Sequence, residues 1–128
     1  MKRGNGMENT NTKKMRAAAK YMVNAIAEEH TIETLAERSG VSPTTFKNSF
    51  RSVYGKPVHT WLIERRAARA ARLLRTSPEL SIGEIAFLVG YENAGKFSGV
   101  FRRIYGVTPR EYRIKLRIKN DGKLRIKN

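Results

Sequence analysis

The sequence predicts an all-α fold of seven helices, built as two copies of a short helix, a glycine turn and a second helix, with one long helix between them. Three observations carry this reading. Apolar residues recur at steps of three and four through most of the chain. Ser, Thr and Pro stand before those runs and Gly stands after them. The second half of the chain repeats the first.

The helices follow in order. Met1 to about Lys13 is polar and aperiodic, so residues 1–13 are expected to be a disordered lead-in. From Lys14 to Glu29, Met15, Ala18, Ala19, Met22, Ala25 and Ile26 form one apolar stripe, which predicts the first helix. Thr31 is a candidate N-cap for Ile32 to Ser39, which stops at Gly40. Ser42 and Pro43 suit the N-cap and first position of the next helix, because proline lacks only an N–H that has no helical partner there. That helix stops at Gly55. Pro57 opens the long helix, carried by Trp61, Leu62, Ile63, Ala67, Ala70, Leu73 and Leu74 and ending near Thr76. Ser81 and Glu84 form a capping-box pair before Ile82 to Val89. A sixth helix covers about Asn93 to Tyr105, and Thr108, Pro109 and Glu111 open a seventh.

The repeat is explicit. At an offset of fifty, Thr31-Ile32 matches Ser81-Ile82, Leu35-Ala36 matches Ile85-Ala86 and Gly40-Val41 matches Gly90-Tyr91. One inserted residue later, Phe46, Phe50, Tyr54-Gly55 and Trp61 match Phe97, Phe101, Tyr105-Gly106 and Tyr112. Each pattern has a physical reason. Ala36 and Ala86 are small where two helices must cross closely, and the glycines permit a left-handed turn. The phenylalanine pairs sit at i and i+4, so both rings leave one helix face for a shared core. Such a unit is a helix-turn-helix, whose second helix keeps its outer face free. Paired helices of a plain bundle are the alternative reading.

Charge selects among functions. The chain carries 26 Lys and Arg against 11 Asp and Glu, a net charge of +15, with a pI near 10.7. That excess calls for a polyanionic partner. With no cysteine and two separated histidines, His30 and His59, the sequence offers no catalytic constellation, no metal cluster and no cofactor motif. His59 reads as a helix-surface residue and His30 as a loop residue. No apolar stretch is long enough to span a bilayer and no secretory signal is present, so a cytoplasmic protein without a membrane partner is expected. RNA readers show stacking aromatics on a sheet, whereas the aromatic pairs here fall at core positions.

The assembled motifs resemble the AraC/XylS family of bacterial transcription regulators. The second half carries the more specific part: Ile82, Ile85-Ala86, Val89-Gly90-Tyr91, Phe97-Ser98, Phe101-Arg102-Arg103, Gly106, Thr108-Pro109 and Tyr112-Arg113. The first half is similar, with Leu35-Ala36, Gly40-Val41-Ser42, Phe46-Lys47, Phe50, Tyr54-Gly55 and Pro57, and the likeness covers about Ala17 to Arg113. The resemblance implies a sequence-specific regulator of double-stranded DNA with its recognition helices in successive major grooves. It divides the chain into helix-turn-helix subdomains at 14–56 and 77–114, a linker helix at 57–76 and a basic tail at 115–128. Activation would also need a surface for RNA polymerase, which the sequence does not locate. Most members carry a separate effector-sensing or dimerisation domain, and no effector ligand is expected to bind this chain. A stand-alone regulator, an excised domain of a larger effector-responsive regulator and a non-specific basic nucleic-acid module all fit the chain.

In the first recognition helix Phe46, Phe50 and Val53 face inward. Thr44, Lys47, Asn48 and Arg51 form the opposite polar stripe. By resemblance Thr44, Lys47 and Asn48 occupy base-reading positions, with Arg51 a backbone candidate; an ordinary solvated face is the alternative. The second recognition helix presents Ala94, Gly95, Lys96, Gly99 and Arg102. Lys96 is its base-reading candidate, while Gly95, Gly99 and Arg102 suit the DNA backbone, so this half is expected mainly to grip phosphates. Thr31 and Ser81, at the starts of the supporting helices, are further backbone candidates. Arg65, Arg69 and Arg72 of the long helix either reach phosphates or keep that helix soluble.

The tail is unusual. Lys115 to Asn120 recurs letter for letter as Lys123 to Asn128, around Asp121-Gly122. Alternating apolar residues about such a dipeptide predict a short β-hairpin, against which stands the marginal stability of a lone hairpin. A partly disordered tail is the favoured expectation.

Overall fold

A computed structural model describes residues 9–127, with side chains for residues 9–119. It contains seven α-helices and no strand among the described residues: α1 (Thr10–Asn24), α2 (Ile32–Ser39), α3 (Pro43–Tyr54), α4 (Val58–Thr76), α5 (Ile82–Leu88), α6 (Ala94–Tyr105) and α7 (Pro109–Lys127).

The chain ends differ from expectation. Residues 10–13, read from sequence as part of a polar lead-in, form the first turn of α1. Asn9 caps that turn, its Oδ1 accepting from the Thr12 amide at 2.7 Å. A cap decides where a helix starts, and a polar first turn needs no apolar stripe. The rest of the lead-in, residues 1–8, lies outside the described residues. At the other end neither the hairpin nor the disordered tail forms: α7 runs on to Lys127. Lys, Leu and Arg are strong helix formers, and α7 is already nucleated, so each added residue gains a backbone bond without a new nucleus. A hairpin there would have no third strand to pack on. The predicted helix over Lys14 to Glu29 also stops early, at Asn24. Beyond it the Ala25 carbonyl accepts from the buried His30 ring at 2.8 Å and from the Glu28 amide at 3.0 Å. His30 is therefore a loop residue with an inward, structural ring.

The chain divides into two compact units, one ending at Ile63 and the other starting at Glu64. In the first, Met15, Ala18, Ala19 and Met22 of α1 meet Leu35 and Ala36 of α2, Phe46 and Phe50 of α3, and Val58, Trp61 and Leu62 of α4. In the second, Ala70, Ala71 and Leu74 of α4 meet Ile85, Ala86 and Val89, with Phe97 and Phe101 of α6. The long helix thus contributes its start to one core and its end to the other. Its buried stripe in the second unit is Ala67, Ala70, Ala71 and Leu74; Ile63, counted with that stripe from sequence, is 36% exposed.

The repeated letters produce repeated geometry. Phe46 and Phe50 rings lie 5.8 Å apart, as do Phe97 and Phe101. Phe50 meets Tyr54 at 4.7 Å and Trp61 edge-on at 5.4 Å; Phe101 meets Tyr105 at 4.6 Å and Tyr112 edge-on at 5.4 Å. The turns repeat as well. Val41 donates its amide to the Ala36 carbonyl at 3.1 Å and Tyr91 to that of Ala86 at 2.9 Å. With Gly40 bonded to Glu37 and Gly90 to Phe87, both at 3.1 Å, these are Schellman endings built on left-handed glycines, φ +74° and +100°.

Candidate nucleic-acid interface

The polar face of α3 is set by its own start. Ser42 accepts from the Thr45 amide at 3.1 Å and Pro43 occupies the first turn. With Phe46 and Phe50 fully buried, the opposite side turns outward, and Thr44, Lys47, Asn48 and Arg51 are all exposed on it. Val53 is half-buried against the first core. Helix α6 is built the same way: Asn93 accepts from the Lys96 amide at 2.7 Å, Phe97 and Phe101 point inward, and Ala94, Gly95, Lys96, Gly99 and Arg102 are exposed.

Packing within the protein does not demand the two α6 glycines. A Cβ on Gly99 would meet nothing within 4 Å, and one on Gly95 would touch only Asn93 Oδ1 at 3.5 Å. Neither has a positive φ. Their effect is instead to leave α6 with a smooth face that another surface can approach to backbone distance.

The supporting helix starts are partly occupied. Ser81 accepts from the Glu84 amide at 3.0 Å and its own N–H donates to the Glu84 carboxylate at 2.8 Å. Thr31 makes the equivalent pair with Thr34, at 3.1 and 3.4 Å. The amides of Thr31 and Ser81 are therefore already used in capping.

On α4, Arg65, Arg69 and Arg72 are exposed. Arg65 is not remote from the second core: burial raises the pKa of the Tyr105 hydroxyl and neighbouring Tyr112 adds to the rise, while the charges of Arg65 and Arg75 oppose it. Two arginines without an assigned role in the sequence reading prove structural. Arg66 lies half-buried beside Gly90, and its guanidinium sits 6.0 Å from the Tyr91 ring centre. Desolvation lowers its pKa and raises that of Tyr91. Arg113 donates from Nη1 to the Leu80 carbonyl at 2.7 Å and from Nη2 to that of Ser77 at 3.3 Å. It ties α7 to the loop before α5. The only sequence signal for Arg113 was its place in the Tyr112-Arg113 motif.

Charge is distributed unevenly. Residues 77–93 hold Glu79, Glu84 and Glu92 and no Lys or Arg. There Phe87 is 73% exposed. This segment holds acids and no cation, whereas the outer faces of α3 and α6 carry cations and no acid.

Residues 35–115 match the model of a helix-turn-helix domain family. The chain belongs to the AraC-type helix-turn-helix family. The F1 operon positive regulatory protein of Yersinia pestis is 40% identical over 83 residues, covering 65% of this chain and 27% of that protein. The regulator ExsA of Pseudomonas aeruginosa is 35% identical over 89 residues, 70% of this chain and 32% of its own length. The chain thus spans about a quarter to a third of the curated relatives it matches. Among solved structures, the DNA-binding domain of AdpA in complex with a target DNA superposes with a TM-score of 0.78 at 34% identity, over 83% of this chain and 95% of that one. The C-terminal domain of AraT from Geobacillus stearothermophilus gives 0.75 at 33% identity, over 80% and 84%. Among the described residues of this family member, no group of side chains could hold a metal ion, and no helix is long and apolar enough to cross a membrane.

Proposed function

We propose that this chain is a sequence-specific, double-stranded DNA-binding transcription regulator in which α3 and α6 each enter a major groove. One observation carries the reading. Two near-identical aromatic cores each hold a second helix so that its outer face is exposed and free of carboxylates. The likeness to a domain solved on its target DNA supports the same reading.

The two helices divide the work. Thr44, Lys47 and Asn48 offer base-reading groups, Lys to guanine and Asn to adenine, and Arg51 reaches the backbone. Helix α6 has Lys96 at its candidate base-reading position but mainly grips the backbone there, while Gly95 and Gly99 admit the DNA backbone closely and Arg102 holds a phosphate. Arg69 and Arg72 add backbone contacts, and Arg65 serves both Tyr105 and the DNA.

Selection from randomised duplex DNA, followed by affinity measurements on the enriched motif and its point variants, tests this. Lys47→Ala or Asn48→Ala should erase preference at one position of the motif, about 1–3 kcal/mol of discrimination. Lys96→Ala should weaken all sequences nearly alike. Enrichment of no motif would remove sequence specificity from the assignment, and equal loss of preference from α3 and α6 variants would remove the division of labour.

A further inference from the structure

Helix α7 reaches beyond the part of the chain shared with the family. The family match ends at residue 115, whereas α7 continues to Lys127. Those twelve further residues are about 18 Å of helix at 1.5 Å each. From Arg110 to Lys127 the helix carries eight Lys and Arg against two acids.

The start of this basic helix also shapes a cleft. Arg113 is pinned inward by the Leu80 and Ser77 carbonyls. Arg110 and Arg117, one turn on either side of it, are exposed. Together with Ser81, Ile82 and Ile114 the three arginines line an open cleft of about 350 Å³. No carboxylate lines it. Of the acids nearest in sequence, Glu84 accepts from the Ser81 amide and Glu111 from that of Thr108, while Glu79 stands two residues before Ser81. All three arginines belong to α7, and the exposed pair Arg110 and Arg117 can each offer a phosphate the planar fork of arginine, which binds it with two parallel bonds.

We propose that the Arg110–Arg117 cleft and the extension of α7 form a phosphate-gripping arm that holds the DNA backbone outside the segment read by α6. The proposal rests on the DNA-binding reading above and adds a longer footprint to it. A membrane surface is the less fitting polyanion. An interfacial helix needs a continuous apolar face, whereas the exposed pair Ile114 and Ile118, one turn apart, is bordered by Arg117 on one side and Lys115 on the other.

The test compares wild type with Arg110→Gln/Arg117→Gln on two duplexes. One is trimmed flush to the selected motif, and the other extends it by about one helical turn on each side. Affinity is read by fluorescence anisotropy between 50 and 200 mM salt. Each lost phosphate contact lowers the slope of log affinity against log salt by about 0.9. On the long duplex the variant's slope should therefore be shallower by about 1.8, so wild type loses about 12-fold more affinity across that salt range. On the trimmed duplex the slopes should coincide. Equal slopes on the long duplex would overturn the arm while leaving the DNA assignment standing. So would an equal difference on both duplexes, which would place the arginines within the motif. Capture of wild type but not variant by phosphatidylserine vesicles, with coincident DNA slopes, would overturn it in favour of a membrane. Failure of wild type to bind any duplex would overturn the functional assignment and the arm together. Far-UV circular dichroism confirms that the variants are folded; if the double variant is not, Arg117→Gln alone is read, with an expected slope change of about 0.9.

Discussion

Alanine at Gly90 should destabilise the protein more than alanine at Gly40, although the two glycines hold equivalent places in the repeat. Both have positive φ, and an L-residue there costs about 1–2 kcal/mol. The stiffer unfolded chain worsens the case for glycine by about 0.4–1 kcal/mol, which offsets part of that cost. Gly40→Ala meets nothing else, since its nearest neighbour is Lys14 Nζ at 3.9 Å. Its net cost should be about 1 kcal/mol. Gly90→Ala places a methyl 3.0–3.1 Å from Cζ, Nε and Nη2 of Arg66, so the guanidinium must move. A shift of a few tenths of an ångström, from a position already 6.0 Å from the Tyr91 ring centre, forfeits at most about 0.5 kcal/mol, which brings the total to about 1.5 kcal/mol. Urea unfolding followed by far-UV circular dichroism measures both. Because φ +100° at Gly90 differs from +74° at Gly40, a double-mutant cycle with Arg66→Ala isolates the steric part. It should return a coupling of about 0.5 kcal/mol; a value within about 0.3 kcal/mol of zero would refute the reasoning.

Two further outcomes follow from the cores and caps. Phe50→Ala and Phe101→Ala should each cost about 3–5 kcal/mol, because each ring is fully buried among three others. Only Phe50→Ala should shift the emission of folded protein, since Trp61, the single tryptophan, packs on that ring; an equal shift from Phe101→Ala would contradict the division into two cores. The Thr108–Glu111 box gives a pH signature. The Thr108 amide, then its hydroxyl, hold the Glu111 carboxyl below its ordinary 4.5. A carboxyl depressed by folding stabilises above its unfolded pKa, and that contribution disappears as pH falls through the folded value. The unfolding midpoint of wild type should therefore exceed that of Glu111→Ala at neutral pH and converge with it in acid; a gap that persists at low pH would contradict the assignment.

What the sequence made legible was local. Ser42-Pro43, Ser81 with Glu84, and the glycines after α2, α3 and α6 act on the turn next to them, so their chemistry is written in adjacent letters. The phenylalanines at i and i+4 were readable for the same reason, and so were the outward positions Thr44, Lys47 and Asn48. The misread features depend on contacts distant in sequence or on competing local states. Helix α1 ends where the ring of His30 turns inward. Arg113 takes its role from carbonyls 33 and 36 residues away. The tail pattern Lys-Leu-Arg-Ile-Lys satisfies strand alternation and helix propensity alike, and only attachment to α7 decides between them. Thr31 and Ser81 were correctly placed at helix starts, and their reciprocal caps use their own amides and those of Thr34 and Glu84.

The two units also show how one repeat can carry different outer faces. The aromatic residues that fix the second helix lie on the inner side: Phe46, Phe50, Tyr54 and Trp61 in one copy, Phe97, Phe101, Tyr105 and Tyr112 in the other. Their ring spacings agree to within about 0.3 Å. None of these contacts constrains the outer side, where a substitution alters no packed neighbour. Thr44, Lys47 and Asn48 on α3 and Gly95, Lys96 and Gly99 on α6 therefore diverge at little cost to the fold. Because exposed positions away from caps and cores shift stability by only about 0.5 kcal/mol, recognition can be rewritten there without retuning the scaffold. The α6 glycines are the exception, since each lowers helix stability by about 1 kcal/mol relative to alanine. Internal packing offers no return for that cost, whereas a DNA backbone lying close against α6 would gain from the smooth face the glycines leave.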